Sequence, residues 1–469
     1  MSKRKVEGLY LFAAGAVLFL ILGCLWRSDQ LFRMCDFKAV SYAAQALAHH
    51  QNPYSEHVLQ GIYYSAPENY AMRSTPPQYL RSVTLCVNLP TTVMFFVPMA
   101  LLPWKVATVV WPALLGVSLI LAGWLMWTVA SDWSPLVAGV LLFLFFSGSQ
   151  SQVETGNLAG IAISFCICGA YCLIKQKYVP IGVVCLGLAL VCKPQDAGFV
   201  WLYFFLAGGE HRRRAWQILA LSAAFFLPAA LWMYHVSPHW LQELRANLLS
   251  TSAPGQVNSP LAMVEPACHG AMIVSLQTVV GIFTARPILY NGIVYILCAP
   301  FILLWGAAVL RGRPSQERDW MGLAAIVPIS MLVCYHRQHD TRLLILAIPA
   351  CAILISRPRG AARLAVIASA FTALVSSNPL LELFGAATFA LRHAAQGLRG
   401  ELLTAILARP VPLAMLIQGA CLCLLFAQSS MGAEARFGWR DRVRLMVRED
   451  AIAPQNCTPT LECPADQEA

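Results

Sequence analysis

Apolar runs long enough to cross a bilayer recur along this chain from Gly8 to Gln428, and short clusters of lysine and arginine sit between them. A helix rises about 1.5 Å per residue, so roughly 17 to 25 apolar residues cover about 30 Å of hydrocarbon. Inside lipid every backbone amide and carbonyl needs an internal partner, which excludes open sheets and lipid-exposed loops and leaves helices. Composition points the same way, with 58% of the 469 residues hydrophobic and 12% charged, more apolar side chain than a soluble core encloses. The expectation is an all-α polytopic transmembrane bundle over residues 1–430, followed by a cytoplasmic polar tail over 431–469 that reads as disordered.

The net charge of +10 would suggest nucleic acid in a soluble protein. Here the basic residues fall between apolar segments, which is the positive-inside pattern and not a nucleic-acid surface. The clusters are Lys175 with Lys177, Arg212 to Arg214, Arg311 with Arg313, Arg357 with Arg359 and Arg363, and the arginines from Arg436 to Arg448. The first apolar run, Gly8 to Trp26, follows Lys3, Arg4 and Lys5 and is longer than the core of a secretory signal. Arg27-Ser28-Asp29 stands where a small-residue cleavage site would be, so this run is expected to be a membrane helix with its amino end in the cytoplasm.

Each basic cluster fixes one cytoplasmic turn from Asn157 onward. The expected segments are Asn157–Ile174, Tyr178–Cys192, Gly198–Gly208 and Ala215–His235, then Ile288–Leu310, Trp320–Tyr335, Leu343–Ser356, Leu364–Ser377 and Val411–Gln428. Upstream, Val83–Pro103, Val106–Ala130 and Pro135–Ser149 cannot all cross without turning Lys175 and Arg212 to Arg214 outward. Val83–Pro103, broken by Pro90 and Pro98, is the weakest, and a re-entrant path for it gives about 12 crossings with both termini cytoplasmic. Two polar stretches then face outward from the cell's inner (plasma) membrane, 27–82 and 236–287. The first is long for a connection and holds an amphipathic stretch, Phe37 to His49, with Phe37, Val40, Ala44 and Leu47 at helical spacing, suited to lying in the membrane interface. No internal repeat and no matched pair of broken helices of the secondary-transporter kind is visible.

Few side chains are left to carry chemistry. Asp36 follows the first membrane segment, and a carboxylate there serves either as a general base on a hydroxyl or as a helix N-cap. Lys193 ends an outward-going segment, and His336, Arg337, His339, Asp340 and Arg342 form a polar turn on the same side; such cations either bind a lipid phosphate or pair locally. Glu154 and Asn157 flank a helix start, where Asn157 either caps or binds a sugar hydroxyl. Asn52-Pro53-Tyr54 reads as a turn. Most of the 16 cysteines lie in or beside apolar segments as small hydrophobes, while Cys35 and Cys268 fall in outer loops and could form a disulfide in an oxidising compartment. No nucleotide-binding glycine loop, metal-ligand cluster or Ser/His/Asp pattern is present.

In chain order, Asp36-Phe37 after the first membrane segment, Asn52-Pro53-Tyr54, the Pro-bearing run ending Leu101-Leu102-Pro103, Gly156-Asn157, Lys193-Pro194, and His339-Asp340 before Leu343-Leu344 together resemble glycosyltransferase family 87. These are the polyprenol-phosphate-mannose-dependent transferases of the C-type glycosyltransferase fold. The resemblance spans roughly Gly8 to Ser356 and implies an inverting hexosyltransferase that moves a hexose, mannose by analogy, from a polyprenyl-phosphate donor to a lipid or glycan acceptor at the outer face. It implies Asp36 as the catalytic base, Lys193, His336, Arg337 and Arg342 at the donor phosphate, and Glu154, Asn157, Gln195, His339 and Asp340 at sugar or acceptor. It implies no cofactor and no metal. The family's Gly-Gln-x-Asn appears as Thr155-Gly156-Asn157 without the Gln, its Lys-Pro is followed by Gln195-Asp196, and His339 stands where relatives often carry an aromatic residue. The competing readings are a surface-polysaccharide ligase or polymerase and a transporter or flippase of lipid-linked sugar. A flippase predicts ionisable residues facing one another near the midplane, whereas here they gather at one face.

Overall fold

The computed structural model describes residues 2–25, 33–72, 77–254, 256, 258–261, 273–312, 315–357, 360–392 and 397–434. Helices dominate; the described residues contain no strand, only an isolated antiparallel bridge between Ile273 and Arg337. Cys268, suggested above as a partner for Cys35, and the tail beyond Glu434, expected to be disordered, lie outside the described residues.

Among the described residues, six helices are long and apolar enough to cross a membrane: Lys3–Cys24, Trp104–Ala130, Gly209–Val236, Pro287–Arg311, Gln338–Ile355 and Pro410–Ser430. A seventh span arises if Gly360–Val375 and Asn378–Ala387, bent by 75° at their junction, act as one. Pro90–Ala100, Pro135–Ser147, Ala159–Lys175 and Val179–Cys192 are apolar but only 10–17 residues long. The expected count of about 12 crossings therefore rests on six to seven segments of full length. Several sequence segments fold as helices too short to cover about 30 Å unaided. Prolines open many of these helices, as at Pro90, Pro135, Pro194 and Pro287, where the missing amide is no loss.

The bundle has two chemically distinct ends. At one, Lys5 pairs with Asp132 at 3.2 Å, Lys175 donates to Gln316 at 3.3 Å, and Arg357 pairs with Glu317. At the other lie Asp36, Asn157, Lys193 and Asp340. The Ala159–Lys175 helix runs from the second end to the first, and Val179–Cys192 returns. The short Pro90–Ala100 helix stays at the second end. Thr91 and Thr92 at its start donate to the Val191 and Cys192 carbonyls at 2.5 and 3.0 Å, and Trp104 just beyond it packs on Phe37 with ring centroids 5.6 Å apart. The first helix and Pro135–Ser147 approach so closely that a Cβ on Gly139 would sit 2.3 Å from the Gly8 carbonyl oxygen. Without a hydrophobic drive between helices in lipid, such backbone contact is what holds them.

The polar stretch 27–82, expected to face outward, is largely helical over its described residues. It forms helices Cys35–Ala48, Glu56–Ser65 and Pro77–Thr84 and a 3-10 turn Pro67–Met72, which share a hydrophobic core with Pro90–Ala100 and Trp104–Ala130. The Cys35–Ala48 helix buries the expected Phe37, Val40, Ala44 and Leu47, and also Lys38, Ser41, Tyr42, Ala43 and Ala46. Protein thus covers it on more than one side, where the amphipathic pattern alone predicted a helix resting one apolar face on the membrane. Its Lys38 ammonium donates to Asn69 at 2.9 Å and lies 5.8 Å over the Trp104 ring.

Asn52-Pro53-Tyr54 turns as expected, with Tyr54 N–H donating to Asn52 Oδ1 at 2.9 Å, and it is also a clasp. Asn52 donates to Glu243 at 2.8 Å, the Tyr54 hydroxyl donates to the Asn88 carbonyl at 2.8 Å, and Asn247 donates to the Tyr54 and Cys86 carbonyls at 3.0 Å. Glu243 and Asn247 belong to Trp240–Thr251 in the second polar stretch, so the two stretches fold against each other.

Candidate active site

The Cys35–Ala48 helix starts at Met34, whose φ of 59° is left-handed and whose side chain makes no cap. Its free first-turn amides are met from across the bundle: Met34 N–H donates to the Glu154 carbonyl at 2.8 Å, and Asp36 and Phe37 N–H donate to the Thr155 carbonyl at 3.0 and 3.2 Å. This contact needs glycine at 156, which has φ +67° and where a Cβ would lie 2.8 Å from Phe37 Cβ. The Trp111 indole N–H fixes the Gly156 carbonyl at 2.8 Å.

Because those carbonyls satisfy the helix start, Asp36 does not act as its N-cap and its carboxylate is released for other contacts. Asp36 Oδ2 accepts from Asn157 Nδ2 at 2.8 Å and lies 3.7 Å from His339 Nε2, an electrostatic contact longer than a hydrogen bond. The Asp36 side chain remains 25% exposed. Burial pushes its pKa up, but His339, the Arg337 guanidinium and hydrogen bonds from Asn157 and Thr155 outweigh that and hold it below the usual carboxylate range. Of the roles open at the sequence level Asn157 takes the cap, since its Oδ1 accepts from Ala159 N–H at 2.8 Å at the start of the next helix, while its amide nitrogen goes to Asp36.

A second cluster adjoins the first. Lys193 pairs with Asp340 and lies 3.4 Å from Asp196 Oδ2. Asp196 Oδ1 lies 3.1 Å from His336 Nε2, and Asp340 Oδ2 accepts from Arg337 N–H at 2.8 Å. Asp196, His336 and Asp340 are each at most 2% exposed, and one ligand atom from each lies within 4.8 Å of the others, close enough to share a metal ion. No metal-ligand pattern was visible in the sequence, since Asp196 is distant along it from His336 and Asp340 and only the fold brings it to them.

Behind His339 stands a polar scaffold. Its Nδ1 is 3.4 Å from Ser151 Oγ, Ser151 donates to Asn378 Oδ1 at 3.0 Å, and Gln338 donates to the same oxygen and to the Ser376 carbonyl at 2.8 Å. Arg342, expected at a donor phosphate, is 2% exposed and spends both terminal nitrogens on the chain. One donates to Thr341 and Ser376 hydroxyls at 3.2 and 3.4 Å, the other to the Gly148 and Ser376 carbonyls at 2.9 and 3.5 Å. The 3-10 path of Gln338–Ala347 carries Arg342 into this packing, which residue type alone could not reveal. His336, another expected phosphate ligand, faces Asp196 instead.

Glu154 contributes its backbone carbonyl to Met34, and Gln195 is half-buried beside the second cluster. Sequence reading passed over Asp196 as a site residue. Its signal was an acid three residues after Lys193 in an almost charge-free region, where ionisable groups are costly. Ser151 and Asn378 carried no comparable signal.

Fold and site together define a helical membrane protein with ionisable groups gathered at one end of the bundle around a partly open carboxylate. A glycosyltransferase family 87 model matches residues 88–335, more than half of the 469-residue chain, and the protein belongs to that family. The match includes Asn157, Lys193 and Asp196 and ends just before His336, while Asp36 precedes it. No curated protein and no solved structure matches the chain.

Proposed function

We propose that this glycosyltransferase moves a hexose, mannose foremost, from a polyprenyl phosphate to a lipid or glycan acceptor at the outer face of the membrane, with inversion. The observation that carries this reading is the Asp36 carboxylate, held by Asn157 at 2.8 Å and His339 at 3.7 Å yet 25% exposed. Asn157 orients the carboxylate and the opening leaves room for an acceptor hydroxyl.

In this mechanism Asp36 takes the hydroxyl proton as the acceptor oxygen bonds to the anomeric carbon. The bond from that carbon to the phosphate oxygen breaks on the opposite face, and its electron pair leaves with the polyprenyl phosphate. In this reading Lys193 and Arg337 stabilise that charge, a task suited to fixed groups in a water-poor site. Arg342 is omitted because its terminal nitrogens are committed to Gly148, Thr341 and Ser376. His339 and Asn157 orient Asp36, and Glu154 and Gln195 flank the space offered to sugar and acceptor.

The test is transfer of radiolabelled mannose from polyprenyl phosphate to membrane lipids by the wild type and by Asp36→Asn, both verified as stably inserted. A loss of about 10²–10⁴-fold is expected for removal of a general base. Equal transfer by both proteins would remove Asp36 from the mechanism.

A further inference from the structure

We infer that Asp196, His336 and Asp340 form a binding site for one divalent cation of the Mn²⁺ or Zn²⁺ class. Two separate regions supply them: the start of Pro194–Ala207, and the turn after Gln316–Val333 that runs into the 3-10 segment Gln338–Ala347. Their ligand atoms already lie within 4.8 Å of one another. An ion with bonds of about 2.1 Å holds tetrahedral ligand atoms roughly 3.4 Å apart, so the three groups close in around it on binding.

The orientation of His336 is the second observation. Its Nδ1 lies 3.2 Å from the Cys334 carbonyl oxygen, which only accepts, so Nδ1 carries a proton, and once the ring gives up its other proton to an ion Nε2 presents the lone pair. A backbone carbonyl on the far ring nitrogen is the usual support of a metal-bound histidine. Nε2 lies 3.1 Å from Asp196 Oδ1, yet neither atom completes a hydrogen bond, although His336 is 0% and Asp196 1% exposed. Both atoms, with a carboxylate oxygen of Asp340, converge on one buried point.

Charge supports the same conclusion. A bound ion requires the ring neutral, and Asp36, Asp196 and Asp340 then face two side-chain cations, Lys193 and Arg337, which leaves one negative charge for the ion to offset. Two hard carboxylates and one borderline imidazole suit Mn²⁺ or Zn²⁺; Ca²⁺ takes six to eight oxygens and Cu(I) prefers sulfur. Lys193 now sits against both carboxylates, so the ion and the ammonium compete. Entry of the ion moves Lys193 outward, and its side chain is the more exposed partner at 18%.

Mn²⁺ binding to the purified full-length protein, stripped with EDTA and titrated while free Mn²⁺ is followed by electron paramagnetic resonance, tests this without reference to activity. One Mn²⁺ per chain, displaced by Zn²⁺, is expected. Asp196→Asn and Asp340→Asn should each weaken binding more than tenfold, and Lys193→Met should tighten it severalfold by removing the competitor. Should the aspartate variants fail to fold, the wild type and Lys193→Met still decide. Absence of stoichiometric Mn²⁺ or Zn²⁺ in both, weaker binding by Lys193→Met, or an unchanged titration in a folded Asp196→Asn overturns the site.

Discussion

Asp36 illustrates how a residue's chemistry is set by neighbours that its own sequence segment does not contain. Asn157 comes from the start of one helix and His339 and Arg337 from a turn near the end of the chain, and together they outweigh the burial that would otherwise raise the Asp36 pKa. With the folded value below the ordinary carboxylate value of about 3.9, the ionised base persists as pH falls past that value and is lost only through the depressed one. Its contribution to stability follows the same course, present above the unfolded pKa and lost as pH falls through the folded one. Asn157→Ala removes one of the groups that favour the charged form. The acid limb of its pH–transfer profile should therefore move to higher pH, and a limb that stays in place would show that Asn157 does not act on Asp36. Asp36 itself was legible in the sequence as an isolated acid after the first membrane segment, but its choice between cap and base was not. That choice was made by the Glu154 and Thr155 carbonyls, which take the helix-start amides a capping side chain would have taken.

At the scale of elements, the docking of Cys35–Ala48 on the 154–157 turn is the joint that brings base and orienting groups together. Gly156→Ala forces a side chain into φ +67° and against Phe37 at 2.8 Å. A cost of about 1–3 kcal/mol is expected for such a backbone position, seen as a lowered thermal midpoint in detergent together with reduced transfer; an unchanged midpoint would show that the joint gives way freely. Helical spacing located this helix within two residues at its start and one at its end, because a stripe at Phe37, Val40, Ala44 and Leu47 is a local property. It could not show that Lys38 and Tyr42 are buried as well, since that depends on Trp104–Ala130 and the neighbouring loop helices covering the other faces.

Across the whole molecule, the contacts of Lys5, Lys175 and Arg357 gather at the end away from Asp36 and Lys193. With the positive-inside bias, the proposed topology puts the first end in the cytoplasm and the site outside. Cysteine placed at the exposed Gly61 should react with a membrane-impermeant maleimide in intact cells above the wild-type background, and cysteine at the exposed Lys177 only after lysis. The reverse pattern would invert the topology and with it the source of the donor.

The sequence by itself determined that the chain is helical and lipid-embedded, because those follow from the length and spacing of apolar runs and from the need to satisfy backbone groups without water. It also supplied the family resemblance through the order of short motifs. The tertiary structure decided which of those motif residues meet. Lys193 with Asp196 and Asp340, Asp36 with Asn157 and His339, and Arg342 with the Gly148 carbonyl are pairings across 3 to 303 positions of chain. Most of these charges become partners only when helix packing brings them together, since a Coulomb interaction depends on separation in space and local dielectric, not on distance along the sequence.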